Sequence, residues 1–90
     1  MRTLIISFEL QDSESPGALK RAYSALSEIG FYGVAQDVML PIGTVMGYWF
    51  EDTAVEEIRS LVIAKLHNAN AAPVRIIVVE PAQSAWASMD

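Results

Sequence analysis

The chain has 90 residues, of which 52% are apolar, with 11 acidic side chains against six basic ones and no cysteine. That length predicts one domain, and the lack of cysteine excludes disulfides and thiolate metal sites. The net charge of −5 disfavours nucleic acid as a partner, though it leaves room for a local basic patch. No apolar run reaches the roughly 18 residues of a membrane span, so no membrane partner is expected. The opening residues do not make a secretory leader, and a cytoplasmic location is the expectation.

The stretch Met1–Leu10, MRTLIISFEL, reads as a strand from about Thr3 that closes on a carboxylate, Glu9. Alternation puts Leu4, Ile6, Phe8 and Leu10 on one face and Thr3, Ile5, Ser7 and Glu9 on the other. After a polar loop, Ser15-Pro16 has the form of an N-cap followed by proline at the first helical position. The helix that follows runs to about Ile29, with Ala18, Leu19, Ala22, Tyr23, Ala25, Leu26 and Ile29 on one stripe. Gly30 is placed to end it.

A hairpin is predicted next, with one strand in Phe31–Leu40, a turn at Leu40-Pro41-Ile42-Gly43, and a second strand at Thr44–Phe50. Gly33 and Gly47 inside these strands mark bulges or places where another group packs on bare backbone. Thr53-Ala54-Val55-Glu56 has the capping-box pattern and opens a second helix. Its predicted buried stripe is Val55, Ile58, Leu61, Val62 and Leu66, and it ends near His67. VRIIVVE, Val74–Glu80, is the last strand, and Pro81 stops it.

Strand, helix, strand, strand, helix, strand is the ferredoxin-like βαββαβ order. The predicted fold class is an α+β sandwich with an antiparallel four-stranded sheet and both helices on one face. The four strands, counted along the chain, are expected in the order 4-1-3-2 or its mirror reading. Residues 1–80 are expected to form the domain, and 81–90 a C-terminal tail in which Trp86 docks on a groove of its own or of a partner subunit.

Two helices shelter only one face of a sheet, and an open face in water should be polar at alternate positions. Here both faces are largely apolar. A mean hydropathy of +0.29 is high for a lone small domain. The expectation is therefore a homodimer that uses Ile5, Val45, Trp49, Ile77, Val79 and Trp86 at its interface.

Glu9 is the sole candidate for catalysis or for holding a metal. It stands late in a central strand, on the face away from the helices. A twofold axis could bring two copies of it together, where a hard cation would bridge them. His67 is the only histidine, and no serine lies beside a plausible base. Glu56 and Glu57 belong to a helix N-terminus. Lys20-Arg21 is the only adjacent basic pair and suits a solvated face. Tyr48, Trp49 and Phe50 could stack on bases, but aromatics in a central strand are more often core or interface.

On LIISFEL, LKRAYSALSEIG, EDTAVEEIRSLVIAKL, RIIVVE and SAWAS, the chain resembles the small CRISPR-associated spacer-acquisition subunit, the second of the numbered Cas proteins. It also resembles the virulence-associated D-type toxins related to that subunit. The resemblance implies a homodimer whose C-terminal segment crosses to the partner. It also implies a first-strand carboxylate able to hold a divalent metal for phosphodiester cleavage. Glu9 lines up with that carboxylate, and Phe8-Glu9 stands where the family usually has Tyr-Asp.

The leading functional expectation is a non-catalytic homodimeric scaffold, an adaptor or inhibitor for a protein partner in a phage-defence setting. The first alternative is a Mg²⁺-dependent endonuclease using Glu9, acting on RNA or DNA. The second is a small-ligand regulatory domain of the ACT type.

Overall fold

The computed structural model describes residues 2–11, 16–35 and 37–81. Trp86 and the other residues 82–90 of the expected docking tail lie outside the described residues. The elements are β1 (Arg2–Leu10), α1 (Pro16–Ser27), β2 (Phe31–Tyr32), β3 (Val34–Ala35), β4 (Val38–Met39), β5 (Thr44–Trp49), α2 (Val55–Asn68) and β6 (Pro73–Val79). The fold is α+β. Its main sheet has four strands in the order β2-β5-β1-β6, with every neighbouring pair antiparallel. This arrangement is compatible with a ferredoxin-like one, and a separate two-stranded ribbon, β3-β4, is added to it.

β1 holds the sheet together, because it is paired along both edges, to β5 and to β6. Its alternation decides what is inside. Leu4 and Ile6 are fully buried, and Phe8 and Leu10 nearly so. From α1 they meet Ala18, Ala22 and Leu26, and from α2 they meet Ile58, Val62 and Leu66. Ala18, Ala22 and Ala25 are buried on α1 beside the longer Leu26. The buried stripe of α2 is Ile58, Val62 and Leu66, at intervals of four. Leu61, expected on that stripe, is exposed.

Two local expectations change in the structure. Thr53 does not cap α2: the N-cap is Ala54, with no side-chain cap bond. The Thr53 hydroxyl accepts the Trp49 indole N–H at 3.1 Å instead. A half-buried indole N–H needs a partner more than a solvent-facing first turn does. The second change is in the hairpin. Residues 31–40 do not form one strand; after Tyr32 the chain turns off into the β3-β4 ribbon, with Asp37 at φ 63°. Leu40 N–H to the Gly33 carbonyl, at 2.9 Å, closes that excursion.

The chain returns through a turn closed by Thr44 N–H to the Pro41 carbonyl at 3.0 Å, with Gly43 at φ 82°. Tyr23 pins this turn to α1. Its hydroxyl accepts the Gly43 N–H at 2.8 Å, and its ring stands edge-on to Phe8 at 5.9 Å. Past α2, Asn70 at φ 56° redirects the chain, and Ala71 N–H bonds the Leu66 carbonyl at 2.9 Å. Arg21 reaches across from α1 to the carbonyls of Ala69 and Asn70 at 3.1 and 3.0 Å. Half of the sequence's adjacent basic pair is thus spent on the end of the second helix.

Arg2 ties the far end of the sheet together. Its Nε and Nη2 donate to the two Glu80 carboxylate oxygens at 3.0 and 2.9 Å. Its Nη1 donates to the carbonyls of Glu51 and Thr53 at 3.0 and 2.6 Å. One guanidinium therefore joins the first strand, the end of the last strand and the loop before α2. Those hydrogen bonds hold the Glu80 carboxyl below its ordinary value of 4.5. The stabilisation is complete above that value and is lost as the pH falls through the lower, folded-state one.

Two outcomes follow from these contacts. A Cβ on Gly47 would run into the Gly30 carbonyl oxygen and stand 2.7 Å from Phe31 Cδ1. Gly47→Ala should lower stability by about 1–3 kcal/mol in urea denaturation; an unchanged midpoint would contradict this packing. Glu80→Gln should lower the thermal midpoint at neutral pH, with the gap to the parent chain closing below the ordinary carboxylate value. A gap that stays constant with pH would show that the Arg2 pairing carries no stability.

Candidate functional site

The face of the sheet away from the helices carries the open site, and the strand register builds it row by row. Tyr32 stands opposite Met46, Met46 opposite Ile5, and Ile5 opposite Val79. These four side chains make one apolar row across the full width of the sheet. The next row holds Thr44, Ser7 and Ile77, and the one after it Glu9 and Arg75. On the other side of the apolar row, Thr3 pairs with Tyr48. Tyr32, Tyr48, Ile77 and Val79 are all exposed, Ile77 by 58%. Four large apolar side chains on one open sheet face are more than the scattered singles of an ordinary monomer surface.

The register places Ile5, Ile77 and Val79 on this face and puts two other expected members, Val45 and Trp49, on the opposite one. Val45 lies opposite Ile6 and is fully buried, and Trp49 lies opposite Arg2. Both face the helices. Trp49 packs on Phe31 with ring centres 6.3 Å apart and planes 28° apart. The physical reason is Gly47, which has to sit where the Gly30 carbonyl and the Phe31 ring leave no room for a Cβ. With Gly47 turned inward, Val45 and Trp49 turn inward too, and Met46 and Tyr48 take the open face, where Tyr48 is exposed and Met46 only 6% so. Strand alternation also separates Tyr48 from Trp49, so the aromatic run does not form one stacking platform.

Glu9 is on the open face, 59% exposed. Its charged neighbour is Arg75 from β6, with Arg75 Nη1 to Glu9 Oε2 at 3.9 Å. That is an ion pair but not a hydrogen bond. Beside them, the hydroxyls of Ser7 and Thr44 lie 3.4 Å apart across β1 and β5. Glu9 borders a hollow of about 210 Å³ toward Leu19, Ile42 and Gly43, and one of about 370 Å³ toward Ser7, Arg75 and Ile77. Among the described residues no group of three or more His, Cys, Asp or Glu side chains is placed to hold a metal ion. One exposed carboxylate, with a guanidinium beside it that competes for its oxygens and no second acidic ligand grouped with it among the described residues, is a weak ligand set for Mg²⁺. The described residues of a single copy do not fit that ion.

The remaining candidates are scattered. His67 is exposed near the end of α2, and Glu56 and Glu57 lie in its first turn. Lys65 pairs with Glu28 at 3.4 Å, between the two helices. No helix among the described residues is long and apolar enough to cross a membrane. Comparison with known proteins returns no match to a family model, a curated protein or a solved structure.

The Glu9–Arg75 geometry carries an outcome of its own. Mg²⁺ or Mn²⁺ at about 10 mM should leave the thermal midpoint within error of a chelator control, because ligand binding to the native state alone would raise it. A rise that disappears in Glu9→Gln would restore Glu9 as a metal ligand.

Proposed function

We propose that this protein is a non-catalytic homodimeric interaction or scaffold protein of ferredoxin-like architecture, whose open sheet face is the contact between copies. The observation that supports this is the row Tyr32–Met46–Ile5–Val79, with Ile77 and Tyr48 to either side of it. A closed twofold contact uses one patch on both copies, so a self-complementary apolar row suits it. Each large apolar side chain taken out of water contributes about 1.5–3 kcal/mol. Met46 is already buried and Ile5 half-buried, so the side chains each copy has left to cover are Tyr32, Tyr48, Ile77 and Val79, and their gain is set against the roughly 4–15 kcal/mol cost of association.

With the open faces joined, the helices look outward and present a mostly polar surface to a further protein partner. The acidic balance favours a partner that carries positive charge. The resemblance carried by LIISFEL, LKRAYSALSEIG and RIIVVE supports a phage-defence setting for such an adaptor or inhibitor, inside the cell.

The test is mass in solution. Light scattering at about 100 μM should give twice the 9.9 kDa chain mass. Ile77→Glu, at an exposed position that leaves the core untouched, should weaken the dimer by at least about tenfold. A parent chain that stays monomeric would remove this reading. So would an Ile77→Glu chain that dimerises as well as the parent.

A further inference from the structure

The inference drawn from the β3-β4 ribbon rests on the dimer proposed above. A stable dimer of standard size takes about 800 Å² from each partner. On the main sheet the exposed apolar side chains are Tyr32, Tyr48, Ile77 and Val79, each of them partly covered already. Even a tyrosine offers only about 150–250 Å² when fully buried, so these four supply roughly half of that area. Apolar surface that continues the same face would bring the contact to full size.

The β3-β4 ribbon provides it. Along the chain Phe31 is buried, Tyr32 and Val34 are exposed, and Ala35 is buried again. A Cβ on Gly33 would meet the Tyr23 ring of α1 at 3.2 Å. Residues 31, 33 and 35 therefore face the helices, and Tyr32 and Val34 face the open side. β3 also stays beside β5 after β2 has ended. Met39 stands directly opposite Val34 in the ribbon, so it shares that side. Val34 is 51% exposed and Met39 83%, more than any of the four on the main sheet. The other pair of the ribbon, Ala35 and Val38, turns the opposite way, and Ala35 is buried. A ribbon with one side in water should be polar on that side. This one is apolar on both.

We infer that Val34 and Met39 belong to the contact between copies, so that the ribbon carries the open face past β2 and seats on the second copy. The contact then has two parts, the row Tyr32–Met46–Ile5–Val79 and an apolar knob at the β2 edge. Methionine suits the knob, because its unbranched, polarisable side chain fills uneven surfaces.

The experiment oxidises the full chain with dilute hydrogen peroxide at about 100 μM protein and reads the sulfoxide at Met39 by mass spectrometry. The comparison is the Ile77→Glu chain, whose main-sheet contact is weakened. Covered in the dimer, Met39 should oxidise about tenfold more slowly in the parent than in Ile77→Glu. A second reading is a light-scattering dilution series on Met39→Asp, a change at a position too exposed to disturb the core. It should weaken the dimer by about tenfold, while Leu61→Asp on the outer side of α2 should leave it at parent strength. A dimeric parent that oxidises at Met39 as fast as Ile77→Glu would overturn the ribbon's part in the contact and leave the dimer standing. So would a Met39→Asp chain that dimerises as well as the parent, or a Leu61→Asp chain weakened as much as Met39→Asp. A parent that stays monomeric would instead remove the dimer, and this inference with it.

Discussion

β1 is paired on both edges, apolar throughout its inner face and apolar at Ile5 on its outer one, and that constraint shapes the rest of the molecule. On one face Leu4, Ile6, Phe8 and Leu10 are sealed by the buried stripes of α1 and α2. On the other, Ile5 links a row that crosses all four strands of the main sheet. Two helices of 12 and 14 residues have only the first of these faces to cover. The second carries the row of apolar side chains for which we propose another copy of the chain as cover.

The devices that hold the sheet in this form are few and specific. Gly47 lets β5 pass under the Gly30 carbonyl and the Phe31 ring. Tyr23 anchors the Pro41–Thr44 turn to α1 through one hydrogen bond and one edge-on ring contact. Arg2 gathers Glu80, Glu51 and Thr53 at the far end of the sheet. This last cluster is partly exposed, so its worth is limited by solvent screening. Its role is to order three chain segments at once, and the apolar core contributes most of the stability.

Much of this was legible in the chain itself. The period-two pattern of Thr3–Leu10 and the Ala/Leu stripe of the first helix each admit one reading, and the structure follows both. The strand at Thr44–Phe50 is different, because both of its alternating sets are apolar and periodicity cannot choose between them. The choice is made by Gly47, through contacts with residues far away in sequence. Val45 and Trp49 therefore moved inward, and Met46 and Tyr48 moved outward. Thr53 had the right spacing for a cap, but the Trp49 indole N–H, supplied by tertiary packing, took its hydroxyl. The β3-β4 ribbon was hidden because its strands are two residues each, too short for any period to show. Glu9 was correctly placed on the open face, yet its partner Arg75 comes from the other end of the chain. An isolated carboxylate and a paired one are indistinguishable until β6 is set beside β1.

The most direct measurement of the central claim is an isotope-filtered nuclear Overhauser experiment on an equal mixture of labelled and unlabelled chains. A dimer joined by its open sheet faces gives contacts between copies from the methyl groups of Ile5, Met46, Ile77 and Val79. Methyl contacts between copies that come from Leu61 on the outer side of α2, or from nowhere at all, would contradict it.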